Sequence, residues 1–223
     1  MAFDVSHIDP QRIYGIDELV GRHGAARWEV ARLLQKGDLS SPGTGTYVHR
    51  DFVPDAHDDL AVLALRCPEA IFNLHTAADL HGMNNRNLPG IYVGLPASQR
   101  VPSIGRNFVT EIIATRWSRD ADLAAGVEER IIRSVTVRLT DQERTVCDMW
   151  RYSFHNPGIR GNPNRVGDEE LAHCMHAYLD VNDGATSALT DMMSRLDPPR
   201  STWNAFVQYL RTFQSAYSRD RVF

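Results

Sequence analysis

The sequence predicts an α+β protein in two parts, and three observations carry that reading. Residues 12–50 press two short helical stretches, a glycine turn and a Pro/Gly-rich hairpin into one run. Runs of strand length, "GIYVGLP", "FVTEIIATRW" and "SVTVRL", follow with β-branched residues. From "TDQERTVCDMWRY" onward the pattern is helical, opened by Thr140 with Glu143 three residues later, a capping-box signature. The expected division is residues 10–54 for the first part and 55–223 for the second, with "DFVPDAHDD" as a linker.

In the first part "RIYG" is a short apolar entry and "IDELVGRHG" a brief helix closed by Gly24. The second helix, "ARWEVARLLQKG", is closed by Gly37. At 100° per residue Ala26, Val30, Leu33 and Leu34 share one side, and Trp28, Arg32 and Gln35 fall on the other. "LSSPGTGTYVHR" then turns through Pro42, Gly43 and Gly45 with hairpin chemistry. Helix, tight turn, helix and hairpin within about 40 residues outline a winged helix-turn-helix. The second part is expected to be a small sheet with several helices. "DDLAVLALRC" and "AIFNLHTAADLHGM" read as two helices parted by Pro68, and three more cover roughly 168–181, 185–196 and 201–217.

Composition narrows the class of function. The 223 residues carry a formal net charge of −4, so nothing global points to nucleic acid. Residues 1–50 hold six basic side chains (Arg12, Arg22, Arg27, Arg32, Lys36, Arg50) and six acidic ones, a net of zero. The cysteines Cys67, Cys147 and Cys174 stand far apart without metal-type pairing, which suggests a reduced, cytoplasmic protein. "MAFDVSHIDP" has no signal-peptide pattern and no apolar run approaches membrane length. No nucleophile elbow, phosphate loop or dinucleotide glycine cluster is present. A restriction-type nuclease would need a lysine beside its metal carboxylates, and the only lysine is Lys36. His173 and His176 flank Cys174 at i, i+3, but no companion pair completes a zinc site. The expectation is no enzyme, no metal and no cofactor.

Three stretches, in order, carry a family resemblance: "GIDELVGRHGAARWEVARLLQKGDLSSPGTGTYV", "IFNLHTAADLHGM" and "LTDQERTVCDMWRY". Together they resemble the AbiEi antitoxins of abortive-infection, type IV toxin–antitoxin systems, over residues 12 to about 152. The resemblance implies an N-terminal winged helix-turn-helix followed by a C-terminal α+β antitoxin and dimerisation domain. It implies a bacterial transcriptional regulator that represses its own operon on an inverted-repeat operator, as a homodimer on DNA. It also implies opposition to a nucleotidyltransferase-type toxin encoded alongside. Where the family often has Ser or Thr to cap the second helix, this chain has Ala26; where the wing often carries arginines, it has Ser41 and Thr44. In the later helix Leu74 stands where the family's first His would be, with His75 one place late. The alternative reading is an antitoxin that binds its toxin directly, with a degenerate, weakly DNA-binding helix-turn-helix.

The candidate DNA-binding residues are Arg27, Trp28, Arg32, Gln35, Lys36, Thr44 and Arg50. Arginines suit guanine edges or phosphates, Gln35 suits adenine, and Lys36 and Arg50 suit phosphates. Two acid-free loops add Arg86, Arg100 and Arg106, then Arg160 and Arg165, as candidate phosphate contacts. Arg151 lies in the second loop as well. Arg144 and Asp148, at i, i+4, are expected to be a structural pair. His75 and His81 are expected to satisfy local hydrogen bonds. Trp28 is expected to pack on protein, against Tyr47 or the C-terminal part, rather than in the groove.

Overall fold

The computed structural model describes residues 3–84, 87–105, 107–108, 110–156 and 165–220. It is a mixed α+β protein in two compact units. Unit 1 comprises Met1–Ala70, Arg100–Thr110 and Glu129–Arg138, and unit 2 comprises Ile71–Gln99, Glu111–Glu128 and Leu139–Phe223. The division thus falls after Ala70, not after residue 54, and two later segments return to unit 1.

Unit 1 runs β1 (Tyr14–Gly15), α1 (Ile16–Gly21), α2 (Arg27–Lys36), β2 (Leu39–Ser40), β3 (Thr46–His49) and α3 (Asp58–Arg66). The strands order β1-β3-β2, both pairings antiparallel, with Tyr14 opposite Tyr47 and Leu39 opposite His49. Tyr14, Leu19, Val30, Leu33 and Leu39 form one core shared by β1, α1, α2 and β2. Val30 and Leu33 come from the apolar side of α2, as the periodicity demands. Gly37 ends α2 at φ 75°, the left-handed conformation that glycine adopts without penalty, and Leu39 then turns inward.

The stretch expected to be a linker is held in place. Arg133, from the returning segment, donates from Nε to Asp58 Oδ1 at 2.7 Å and from Nη2 to Val53 O at 2.7 Å. Its guanidinium also lies 4.8 Å from the ring centre of Phe52. Arg133 and Ser134 both have positive φ, 50° and 63°. Two consecutive positive φ values make the tight hairpin turn for which Asn-Gly is the usual choice. Here the side-chain bonds of Arg133 hold a turn that Arg-Ser disfavours.

Unit 2 carries β4 (Ile71–Phe72), α4 (Leu74–Leu80), β5 (Gly90–Pro96), β6 (Glu111–Trp117) and α5 (Asp120–Ala124). After these come β7 (Val127–Ile132), β8 (Val135–Thr140), α6 (Gln142–Arg151), α7 (Asp168–Val181), α8 (Ser187–Arg195) and α9 (Arg200–Asp220). The sheet order is β6-β5-β4-β8-β7; of the β7–β8 hairpin, Glu129–Arg138 is counted with unit 1 and only the outer ends of the two strands with unit 2. β5 and β6 are parallel and β4 and β5 antiparallel. Gly94 lies under Trp117: a Cβ there would come within 2.3 Å of the indole ring, so only glycine fits. The helices close over Trp150, Leu171, Cys174, Tyr178, Leu189 and Phe206, with Trp150 edge-on to Phe206 at 5.0 Å.

Three local expectations change. Ile71 and Phe72 are strand, so the helix there begins at Leu74. The cap of α6 is Asp141, which accepts from Arg144 N at 2.7 Å; Thr140 ends β8 and its hydroxyl lies 2.8 Å from that of Thr145. β7 and α5 had no reading in the sequence. Among the described residues no helix is long and apolar enough to cross a membrane.

Candidate nucleic-acid interface

The outward side of α2 is the candidate site, and its start explains its stability. Ala26 supplies no side-chain cap, but Glu29 accepts from Ala26 N at 2.8 Å and from Phe3 N at 3.0 Å. One half of a capping box therefore remains, at a helix end where negative charge is favoured. Those two amide donors hold the Glu29 carboxyl below its usual range.

Trp28 is 63% exposed. The expectation that it packs against Tyr47 or the C-terminal part is corrected: the partner of its ring is the cation of Arg32, whose guanidinium carbon lies 5.5 Å from the ring centre. The correction has a simple cause, since the i, i+4 spacing brings Arg32 back over the preceding turn. Arg27, Gln35 and Lys36 are exposed, and Arg32 is half-buried. Thr44 is exposed in the loop between β2 and β3, where its amide donates to Ile104 O at 2.6 Å. Tyr47 is half-buried against the unit 1 core.

Ion pairing sorts the cations of this region. Arg12 pairs with Glu18, Arg22 with Glu18 at 3.6 Å, Arg27 with Asp17 at 3.5 Å, and Arg50 with Asp38 at 3.0 Å. Arg32 and Lys36 have no ion pair among the described residues. Exposed pairs such as Arg27–Asp17 contribute only about 0–1 kcal/mol, so a phosphate displaces them at small cost. Arg32 Nε is buried without a hydrogen-bond partner.

The loop arginines do not form one set. Arg100 is exposed and belongs to unit 1. Arg165 is exposed in unit 2, its guanidinium carbon 3.9 Å from the ring centre of the exposed Phe154. Arg86, Arg106 and Arg160 lie outside the described residues.

Arg144 and Asp148 belong to a different environment. Both side chains are fully buried, and Arg144 Nε donates to Asp148 Oδ2 at 2.7 Å. Nη1 and Nη2 of Arg144 donate to the backbone oxygens of Ala125 and Asp122, at 2.7 and 3.1 Å. Arg151 bridges Asp148 Oδ1 at 2.7 Å and Asp122 Oδ1 at 2.9 Å, and Arg119 Nε reaches Asp122 Oδ2 at 2.9 Å. Three guanidinium groups thus share two carboxylates, joining α5 to α6. Burial would raise the Asp122 carboxyl, but Arg119, Arg151 and Arg144 outweigh it and hold it below the usual range. Sequence spacing pointed to one pair of this cluster; Arg119, Asp122 and Trp117 escaped it.

The histidines have structural company. His81 Nε2 lies 2.7 Å from Thr140 O, and His75 meets the ring of Tyr92 edge-on at 4.7 Å. The His176 ring lies tilted against those of Phe213 and Tyr217, and burial pushes the Cys174 thiol up to about 12. Among the described residues no group of three or more His, Cys, Asp or Glu is placed to hold a metal ion.

No protein-family model matches the chain, and no curated protein is significantly similar to it.

Proposed function

We propose that β1 to β3 form a winged helix-turn-helix, that α2 enters the major groove, and that the chain is an AbiEi-type antitoxin repressing its own operon. The observation that carries this reading is the outward side of α2. There Trp28, Arg32, Gln35 and Lys36 stand at helical spacing, and among them are Arg32 and Lys36, the two cations of α2 without an ion pair among the described residues. The β1-β3-β2 order supports it, because it puts a hairpin directly after the second helix. Repression is steric on this reading, by occupation of the promoter, and needs no substrate chemistry.

Because residues 1–50 net to zero charge, one copy holds DNA weakly. Two copies on a two-fold operator supply the rest. With Lys36 and Arg50 on phosphates in each copy, log K falls against log salt with a slope of about −3.6. The test is titration of the full chain against a duplex of the region upstream of its own gene, at two salt concentrations. Sequence-selective binding with a slope near that value supports the repressor; no binding at low salt overturns it.

A second reading draws on the same ion pairs. Arg12, Arg22, Arg27 and Arg50 are already neutralised within unit 1. That pattern favours an interaction protein which neutralises its nucleotidyltransferase-type toxin by direct contact. Co-purification with the product of the adjacent gene, together with failure to retain the duplex, selects this reading.

A further inference from the structure

Trp28 and Arg32 are two residues on one helix face, and they behave as one object. Side chains on a helix lean toward its N-terminus, so Arg32 folds back across the turn that carries Trp28. The guanidinium carbon ends 5.5 Å from the indole centre. Arg32 Nε is buried and makes no hydrogen bond, and Arg32 has no ion pair among the described residues. The group is therefore held by its stem and by the ring, and its terminal nitrogens, Nη1 and Nη2, are its outward donors. A planar fork held by its base is fitted to one bidentate acceptor, and guanine presents one through O6 and N7. Beside it lies the ring of Trp28, a residue that is 63% exposed. Its apolar counterpart in the major groove is the C5 methyl of a pyrimidine. The 5.5 Å offset falls between one and two base steps of about 3.4 Å each, so neighbouring bases meet the two groups together.

We propose that Trp28 and Arg32 form a single reading unit for a C5-methylated pyrimidine followed by guanine, Trp28 covering the methyl and Arg32 forking onto the guanine. This rests on the reading of α2 as the groove-entering helix. Thymine and 5-methylcytosine present the same methyl, and the experiment separates them. Arg32 is a specificity residue on this account. Lys36, at the end of α2, and Arg50, beyond β3, are the residues that hold phosphates.

The test is selection of a randomised duplex library by the full-length protein, followed by single-atom changes in the selected duplex. The wild-type pool is enriched in a thymine–guanine step. Replacing that thymine by deoxyuridine removes only the methyl and weakens binding about fourfold. Replacing it by 5-methylcytosine, paired with guanine, restores the contact if the methyl alone is read, whereas unmodified cytosine does not. Replacing the guanine by 7-deazaguanine weakens binding about tenfold. In Trp28→Ala the deoxyuridine effect disappears, and in Arg32→Ala the 7-deazaguanine effect disappears. Arg32→Lys keeps the charge and loses the fork: it keeps affinity for unrelated duplexes within twofold and loses the guanine preference. Loss of affinity for every duplex alike in Arg32→Ala, with rescue by Arg32→Lys, makes Arg32 a phosphate contact and overturns the proposal. So does a selected pool without the step, or a deoxyuridine substitution without effect. Failure of the protein to retain any duplex overturns the DNA-binding reading itself, and this inference with it.

Discussion

Two arginine–tryptophan pairs in this protein share a motif and differ in everything around it. In unit 2 the Arg144 guanidinium carbon lies 4.9 Å from the ring centre of Trp117, which is 2% exposed. In unit 1 the Arg32 guanidinium carbon lies 5.5 Å from that of Trp28, which is 63% exposed. Each Arg144 nitrogen donates to a protein oxygen, whereas Arg32 makes no protein hydrogen bond among the described residues. A cation beside an aromatic is not in itself a functional sign. What distinguishes the pairs is whether the donors are already used. A guanidinium that bonds protein oxygens through all three of its nitrogens is a structural tie, and one with donors left over on an exposed face is open to an outside acceptor.

That contrast is breakable at its strongest point first. Arg144→Met leaves Asp148 with Arg151 alone and strips a donor from two backbone oxygens. The expected loss is about 3–5 kcal/mol, read by urea unfolding. A loss under about 1 kcal/mol, the range of a surface ion pair, would show that the buried pair is no tie at all.

Acid gives the next test. The Asp122 carboxyl titrates below its unfolded range in the folded chain, so its contribution is complete above about pH 5 and is lost as pH falls through 4 and below. The urea midpoint of the wild type should fall across that window more steeply than that of Asp122→Asn. Equal slopes would place the acid sensitivity elsewhere.

On the open side the changes are smaller. Ala26→Ser completes the capping box with Glu29 and should raise stability by about 0.5–1 kcal/mol, seen as a higher urea midpoint. Smallest of all, Trp28→Phe should leave stability within about 0.5 kcal/mol of wild type. Acrylamide quenching of the tryptophan fluorescence should nevertheless drop, because Trp117 and Trp150 are buried and Trp203 is half-buried. A large stability loss there would mean that the ring is packed after all.

Much of unit 1 was legible because its signals are local. Gly37 stops α2, Val30 and Leu33 mark its buried face, and Pro42, Gly43 and Gly45 turn the hairpin. The boundary of the unit was not legible. It depends on Arg133 reaching Val53 and Asp58 across 80 and 75 positions, and no periodicity encodes such a pairing. β7 escaped because "VEERII" sets three charged residues in a row and its side chains are half-buried or exposed, with no apolar alternation. A turn made by Arg-Ser gave no punctuation either. Ile71 and Phe72 read as helix because two residues carry no period. For the candidate site, the sequence placed Trp28 on the polar face of α2 correctly and misjudged its partner. Helical periodicity assigns a residue to a face, whereas the fold-back of Arg32 over the ring depends on its rotamer, which no spacing encodes.

The fit of Trp117 over Gly94 has a consequence for tracing this chain's kin. The two positions lie on adjacent parallel strands, where Pro96 is the register partner of Trp117 and Gly94 stands two residues earlier on the same face. A side chain at 94 and an indole at 117 are mutually exclusive, so the two positions can drift only together. Distant homologues that share this sheet should divide into two sorts, those with glycine and a large ring, and those with a side chain and something small. Such a paired substitution survives long after overall similarity has faded, and it offers a thread for linking distant sequences.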